Sequence, residues 1–203
     1  MEKGNTRRRI LDEALNLFST EGYESTSVSQ IAQAVGIRKS SLYSHFASKR
    51  EILDALIKDV LSGYERRSVF TENNGGESAR KGVAITDCDG AVKAILGHVK
   101  YIMHDERIKK SRTFLTIEQF RNKELGELLT RLNYTAVTEF FIKTVRSLVD
   151  CGKLKDGDTE IMAYELCLPI SVWINLCDRE PNREFEITRL IERHIRAFFN
   201  TYG

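Results

Sequence analysis

Arg38, Lys39, Ser40, Ser41, Tyr43 and Ser44 fall within seven consecutive residues and supply two cations, three hydroxyls and a phenol, with only Leu42 apolar among them. Guanidinium and ammonium groups neutralise phosphate and release its counterions, while hydroxyls bond phosphate oxygens or base edges. The chemistry on offer is recognition of a polyanion. On an isolated basic helix the same set would be an ordinary solvated face, so its meaning depends on what positions it.

The positioning elements are written on both sides. Ser27 followed by Gln30 is a capping box that starts a helix, and Val28, Ile31, Ala32 and Val35 give that helix one apolar face. Gly36 then supplies the positive φ that ends a helix in a tight turn. Beyond it, Ile37, Leu42 and Phe46 turn back into a small core. Lys39, Ser40, Tyr43 and Ser44 are left outward, with Arg38 and Ser41 at the margins. Two short helices joined by a glycine turn follow the grammar of a helix-turn-helix.

Before it, residues 6–20 read as an amphipathic helix with Ile10, Leu11, Ala14, Leu15, Leu17 and Phe18 on one face. Arg7, Arg8 and Arg9 at its start are either phosphate contacts or solvated. After it, Ser48 and Glu51 form a second capping box that opens a long helix lined by Ile52, Leu53, Leu56, Ile57, Val60 and Leu61. Lys49, beside the free N–H groups of that helix start, is expected to clamp a phosphate.

Gly22-Tyr23, the capped Ser27 helix, Gly36-Ile37, Leu42-Tyr43-Ser44-His45-Phe46 and Ser48-Lys49-Arg50-Glu51 with Leu53 resemble, in order, the N-terminal domain of the tetracycline-repressor (TetR) family of transcriptional regulators. The resemblance covers residues 6–60. It implies a dimeric, all-helical, ligand-responsive DNA-binding protein, usually a repressor, with Ser27, Lys39, Ser40, Ser41, Tyr43, His45 and Lys49 at DNA. Ser40-Ser41 departs from the glycine that many relatives place before the hydroxyl residue.

The rest of the chain is expected to be helical too, because helix formers run throughout and apolar residues recur at helical spacing. The expected organisation is all-α: a three-helix DNA-binding domain over residues 1–48, a connecting fourth helix over 49–67, and a helical effector-binding and dimerisation domain over 88–203, about nine helices in all. Residues 72–87 read as a connection, with 83–86 as the single strand-like run. Asp89 is expected to cap a fifth helix, followed by a shorter helical stretch over 106–121. Asn122 should start a long helix ended by Cys151-Gly152, and Asp158 should cap an apolar helix that Pro169 kinks or breaks. Pro181-Asn182 opens the last one. The apolar surface of the last two helices suits a two-fold dimer, and hence a palindromic duplex site.

Pockets between helices favour aromatics with polar tips, and His98, Tyr101, Phe114, Tyr134, Tyr164 and Trp173 are the candidates for holding a small apolar or aromatic effector. Packing is the competing role for each.

Net charge is only +2, and its distribution says more. Residues 1–67 carry 11 Lys and Arg against 9 Asp and Glu, whereas the remainder balances at 20 each. From Gly22 to Arg50, four cations face one carboxylate, Glu24, which is a local basic footprint. Cys88, Cys151, Cys167 and Cys177 have neither metal-ligand spacing nor a CxxC pair. No nucleophile elbow, phosphate-cradling glycine loop or His-Glu-x-x-His is present, so neither catalysis nor a cofactor is expected. The run from Met162 to Cys177 contains Glu165 and reads as too short for a membrane span, so a cytoplasmic protein without a membrane partner is expected. The alternative is a helical ligand sensor or adaptor that acts through protein contacts without specific DNA binding.

Overall fold

The computed structural model describes residues 3–67, 85 and 87–203. Among them are ten α-helices and no strand: α1 (Lys3–Glu21), α2 (Val28–Val35), α3 (Lys39–Tyr43), α4 (Lys49–Arg67), α5 (Cys88–His104), α6 (Glu106–Glu118), α7 (Lys123–Thr130), α8 (Ala136–Asp150), α9 (Thr159–Arg179) and α10 (Glu184–Tyr202). The expected connection over 72–87 and the strand-like run over 83–86 lie almost wholly outside the described residues.

The helices pack as two compact units, and the division is not the one the sequence suggested. α6 and α7 cluster with α1–α4, while α5 clusters with α8, α9 and α10. In the first unit, Ile10, Leu11, Ala14, Leu15 and Phe18 of α1 are buried, as are Ile31, Ala32 and Val35 of α2, Leu42 of α3 and Ile52, Leu53 and Leu56 of α4. Ile108, Phe114 and Leu115 of α6 complete that core. α1 is therefore covered by α6 as well as by the reader helices. Gly126 of α7 permits a close approach, because a Cβ there would stand 2.6 Å from the Gln119 carbonyl oxygen.

In the second unit, α9 buries Met162, Ala163, Leu166, Cys167, Ile170, Ile174 and Cys177 against α8, α10 and α5. Its 21 residues are long and apolar enough to cross a membrane by length and composition alone. The helix runs through Pro169 without a break. One turn earlier, the Leu166 carbonyl lies 3.1 Å from His194 Nε2 of α10. The fifth helix is capped by Asp87 rather than Asp89: Asp87 Oδ1 accepts the Gly90 N–H at 2.8 Å, and Asp89 pairs with Arg196 at 2.9 Å. The long helix expected from Asn122 is divided by a π-helical turn at Arg131–Thr135.

Candidate nucleic-acid interface

The reader is built from its caps inward. Ser27 sits in extended backbone, its Oγ accepts the Gln30 N–H at 3.2 Å, and Gln30 Oε1 accepts the Ser27 N–H at 2.7 Å. Both halves of the expected capping box are formed. At the other end of α2, Gly36 has φ 76° and ψ 36°. Its N–H bonds the Gln33 carbonyl at 3.0 Å while the Ile37 N–H reaches Ala32 at 2.9 Å, the paired bonds of a Schellman ending. Nothing lies within 4 Å of where a Cβ would be, so conformation rather than space requires glycine there.

α3 is only five residues long, and it is anchored by Leu42 and Phe46, both essentially inaccessible to solvent. That anchoring turns its other side outward. Arg38, Lys39, Ser40, Ser41 and Ser44 are all exposed, and Tyr43 keeps 45% of its surface open. Ser27 is exposed at the start of α2, and His45 is half-buried at the end of the set. The outward face thus offers the cations, hydroxyls and phenol together.

Lys49, expected at phosphate, and Arg7, Arg8 and Arg9, open between phosphate and solvent, all have partners within the protein. Lys49 Nζ donates to the Tyr23, Thr26 and Glu24 carbonyls at 2.8, 3.1 and 3.3 Å and stands 4.3 Å from the centroid of the Tyr23 ring. A lysine ammonium has three donors, and three carbonyls take them. The expected phosphate clamp is instead a brace for the α1–α2 turn. Arg9 donates to the Val35 carbonyl at 2.5 Å, placing a cation at the negative end of α2. Arg7 lies 4.5 Å over the Phe46 ring, and Arg8 pairs with Asp59 and Asp12. Sequence reasoning missed the roles of Lys49 and Arg9 because a backbone carbonyl leaves no mark in the residue pattern. The second capping box is also modified: Ser48 Oγ accepts the Glu51 N–H at 3.1 Å, but the Glu51 carboxylate takes the N–H of Ala47 instead of Ser48.

The six candidate effector residues do not share one unit. Phe114 belongs to the first, fully buried with its ring 5.6 Å from that of Phe18, and is a core residue. In the second, His98 lies 6.4 Å from Tyr101, ring to ring, and Trp173 meets His194 edge-on at 5.3 Å. Tyr164 donates to Glu160 at 2.6 Å, and that bond, with burial and the neighbouring Tyr134, pushes its phenol up to about 12. Burial pushes the His98 imidazole down to about 4, so it is neutral at pH 7.

Residues 10–56 match the family model described as bacterial regulatory proteins, tetR family. The regulator TcmR of Streptomyces glaucescens is 35% identical over 99 residues, 47% of this chain and 39% of TcmR. The regulator IcaR of Staphylococcus aureus is 46% identical over 50 residues, 25% of this chain and 27% of IcaR. The matches thus span well under half the length of these relatives. Among solved structures, SmeT of Stenotrophomonas maltophilia has a TM-score of 0.64 at 21% identity, over 97% of this chain and 89% of SmeT. A regulator from Mesorhizobium loti gives 0.63 at 19% identity, over 100% and 99%. At such identity the likeness speaks for the fold. Sequence kinship is thus concentrated in the reader: residues 10–56 carry the N-terminal domain of the tetR family of bacterial regulatory proteins, on a helical frame whose fold is shared end to end with solved regulators.

Proposed function

We propose that this protein is a dimeric transcriptional repressor that binds a palindromic operator and leaves it when a small apolar or aromatic effector binds. The observation that carries this reading is the division of α3: Leu42 and Phe46 lock one side into the core, and Arg38, Lys39, Ser40, Ser41, Tyr43 and Ser44 present the other to solvent. A short helix held by its neighbours, with cations and hydroxyls outward, suits the major groove. Ser27, exposed at the start of α2, and His45, half-buried just after α3, are proposed to meet DNA as well. Lys49 is better assigned to the turn it braces.

Repression is favoured by two relatives, IcaR being described as a negative regulator and SmeT as the repressor of a multidrug efflux pump. Dimerisation through α9 and α10 is supported by apolar side chains left open on them, with Phe185 77%, Val172 62% and Ile161 51% exposed. A small aromatic effector is supported by the solved complex of SmeT with triclosan. His98, Tyr101, Tyr134, Tyr164 and Trp173 are the residues proposed to meet it. The effector acts by preferring a conformer whose two readers are wrongly spaced, and it shifts the population by no more than its differential affinity for the two states.

Selection of duplexes from a random pool with the full-length chain tests this reading. The expected winner is a palindrome with half-sites about one helical turn apart or a multiple of that. Recovery of a pool with no sequence preference would overturn it.

A further inference from the structure

α6 is tied at its start to α1 and α4 and at its end to the turn that leads into the reader. Near its start, Arg107 bonds Asp12 of α1 and Asp59 of α4, and Arg8 shares both carboxylates. Those groups are partly solvated, so that anchor is screened by salt. At its other end the fastening is of a different kind. Glu118 is 1% exposed, and its Oε1 accepts the Tyr23 N–H at 2.8 Å. A carboxylate is costly to bury, and this one is set against a backbone donor at the point where the chain leaves α1.

The turn is shaped to receive it. Gly22 has φ 85°, and a Cβ there would stand 3.0 Å from the same carboxylate oxygen. The Gly22 carbonyl accepts the Thr26 hydroxyl at 2.8 Å, and Ser27, the cap of α2, is the next residue. On the other side, Lys49 of α4 takes the Tyr23 carbonyl at 2.8 Å. Tyr23 is thus held by its N–H from α6 and by its C=O from α4, four residues before Ser27, the cap of α2.

We propose that Glu118 is a positioning residue for DNA reading: through the Tyr23 N–H it sets the α1–α2 turn, and with it α2 and α3, according to where α6 stands. The inference deepens the regulator reading above and rests on it. A displacement of α6 by about 1 Å carries the bond beyond hydrogen-bonding reach, so the turn registers small shifts of that helix. The anchor is also buried, so it resists salt that weakens the Arg107 cluster.

The test compares Glu118→Leu and Glu118→Gln in the full chain by hydrogen exchange at the Tyr23 amide, by melting, and by binding to the selected duplex and a scrambled one. In Glu118→Leu, the Tyr23 amide is expected to lose its protection and selected-duplex affinity to fall about tenfold, the scale of one charge-assisted hydrogen bond. Scrambled-duplex affinity is expected to stay unchanged. Glu118→Gln keeps an acceptor oxygen and is expected to recover both protection and discrimination, which a loss of general stability would not restore. Unchanged Tyr23 exchange or unchanged discrimination in Glu118→Leu overturns the proposal, as does a glutamine variant no better than leucine. If the leucine variant does not fold, the glutamine variant decides, by keeping or losing the amide's protection. A parent chain that prefers no duplex overturns the regulator reading, and with it the DNA role of Glu118, even where the exchange result shows the bond itself intact.

Discussion

The Lys49 ammonium lies 2.8 Å from the Tyr23 carbonyl oxygen and 4.3 Å from the centroid of the same residue's ring, so one cation satisfies a turn and covers an aromatic. Burial first, and the nearby Glu24 carboxylate next, push the Tyr23 phenol above its ordinary value. Lys49→Met keeps the length of the stem and removes the charge. The expected outcome is a loss of about 1–2 kcal/mol of stability, since these are charged hydrogen bonds at a partly solvated site. It is read as a lower denaturation midpoint with unchanged m-value. The salt dependence of duplex binding should keep its slope; a slope lower by about one unit would show that Lys49 meets phosphate after all.

Lys39 makes the opposite case. It is exposed at the start of α3, so Lys39→Ala should leave the melting temperature within error. If the side chain sits on phosphate, affinity falls for every duplex and the log–log salt slope drops by about 0.9. If it reads a base edge, the loss is about 1–3 kcal/mol for the preferred site and the selected sequence changes at one position. Titration of selected and scrambled duplexes at several salt concentrations separates the two. An unchanged affinity for both would remove Lys39 from the interface.

The reader was legible in the sequence because its signals are local. Ser27 with Gln30, Gly36, and the spacing of Ile31, Val35, Leu42 and Phe46 each specify a cap, a turn or a buried face within a few residues. The alternation of buried Leu42 with exposed Lys39, Ser40 and Tyr43 followed from the same spacing. What stayed hidden depends on distant partners: Arg9 on the Val35 carbonyl, Lys49 on the α1–α2 turn and Glu118 on the Tyr23 N–H. A charged residue that will bond backbone looks in sequence like one that will face water. For Phe114 the competing role of packing holds, against Phe18, and an aromatic at helical spacing does not say which neighbour it will pack against. Asp87 displaced Asp89 as a cap through a choice between two acids two residues apart, which periodicity cannot rank.

Gly36 gives a backbone prediction that involves no lost contact. Its φ of 76° is left-handed, yet a Cβ would meet open space. Gly36→Ala should therefore destabilise the protein by about 1–2 kcal/mol through conformational strain alone. Gly36→Asn, which tolerates that region better, should cost less. Equal melting temperatures for the alanine variant and the parent would mean that the turn relaxes to another conformation, and duplex discrimination should then fall because α3 would be re-aimed.

His98 links stability to acid. Its imidazole is held down to about 4 by burial, against 6.5 in an unfolded chain, so between those values the unfolded state binds the extra proton. Its contribution to stability is therefore fully present above pH 6.5 and is lost progressively as pH falls toward 4. The total is at most about 3 kcal/mol. Carboxylates titrate across part of the same window, so the measurement is a difference: denaturation midpoints at pH 7 and pH 4.5 for the parent and for His98→Gln. The variant cannot charge and is expected to show a shallower decline, with the gap between the two curves opening below pH 6.5. Parallel curves would mean that protonated His98 finds water or a counter-charge without unfolding, and that α5 opens at that point under mild acid.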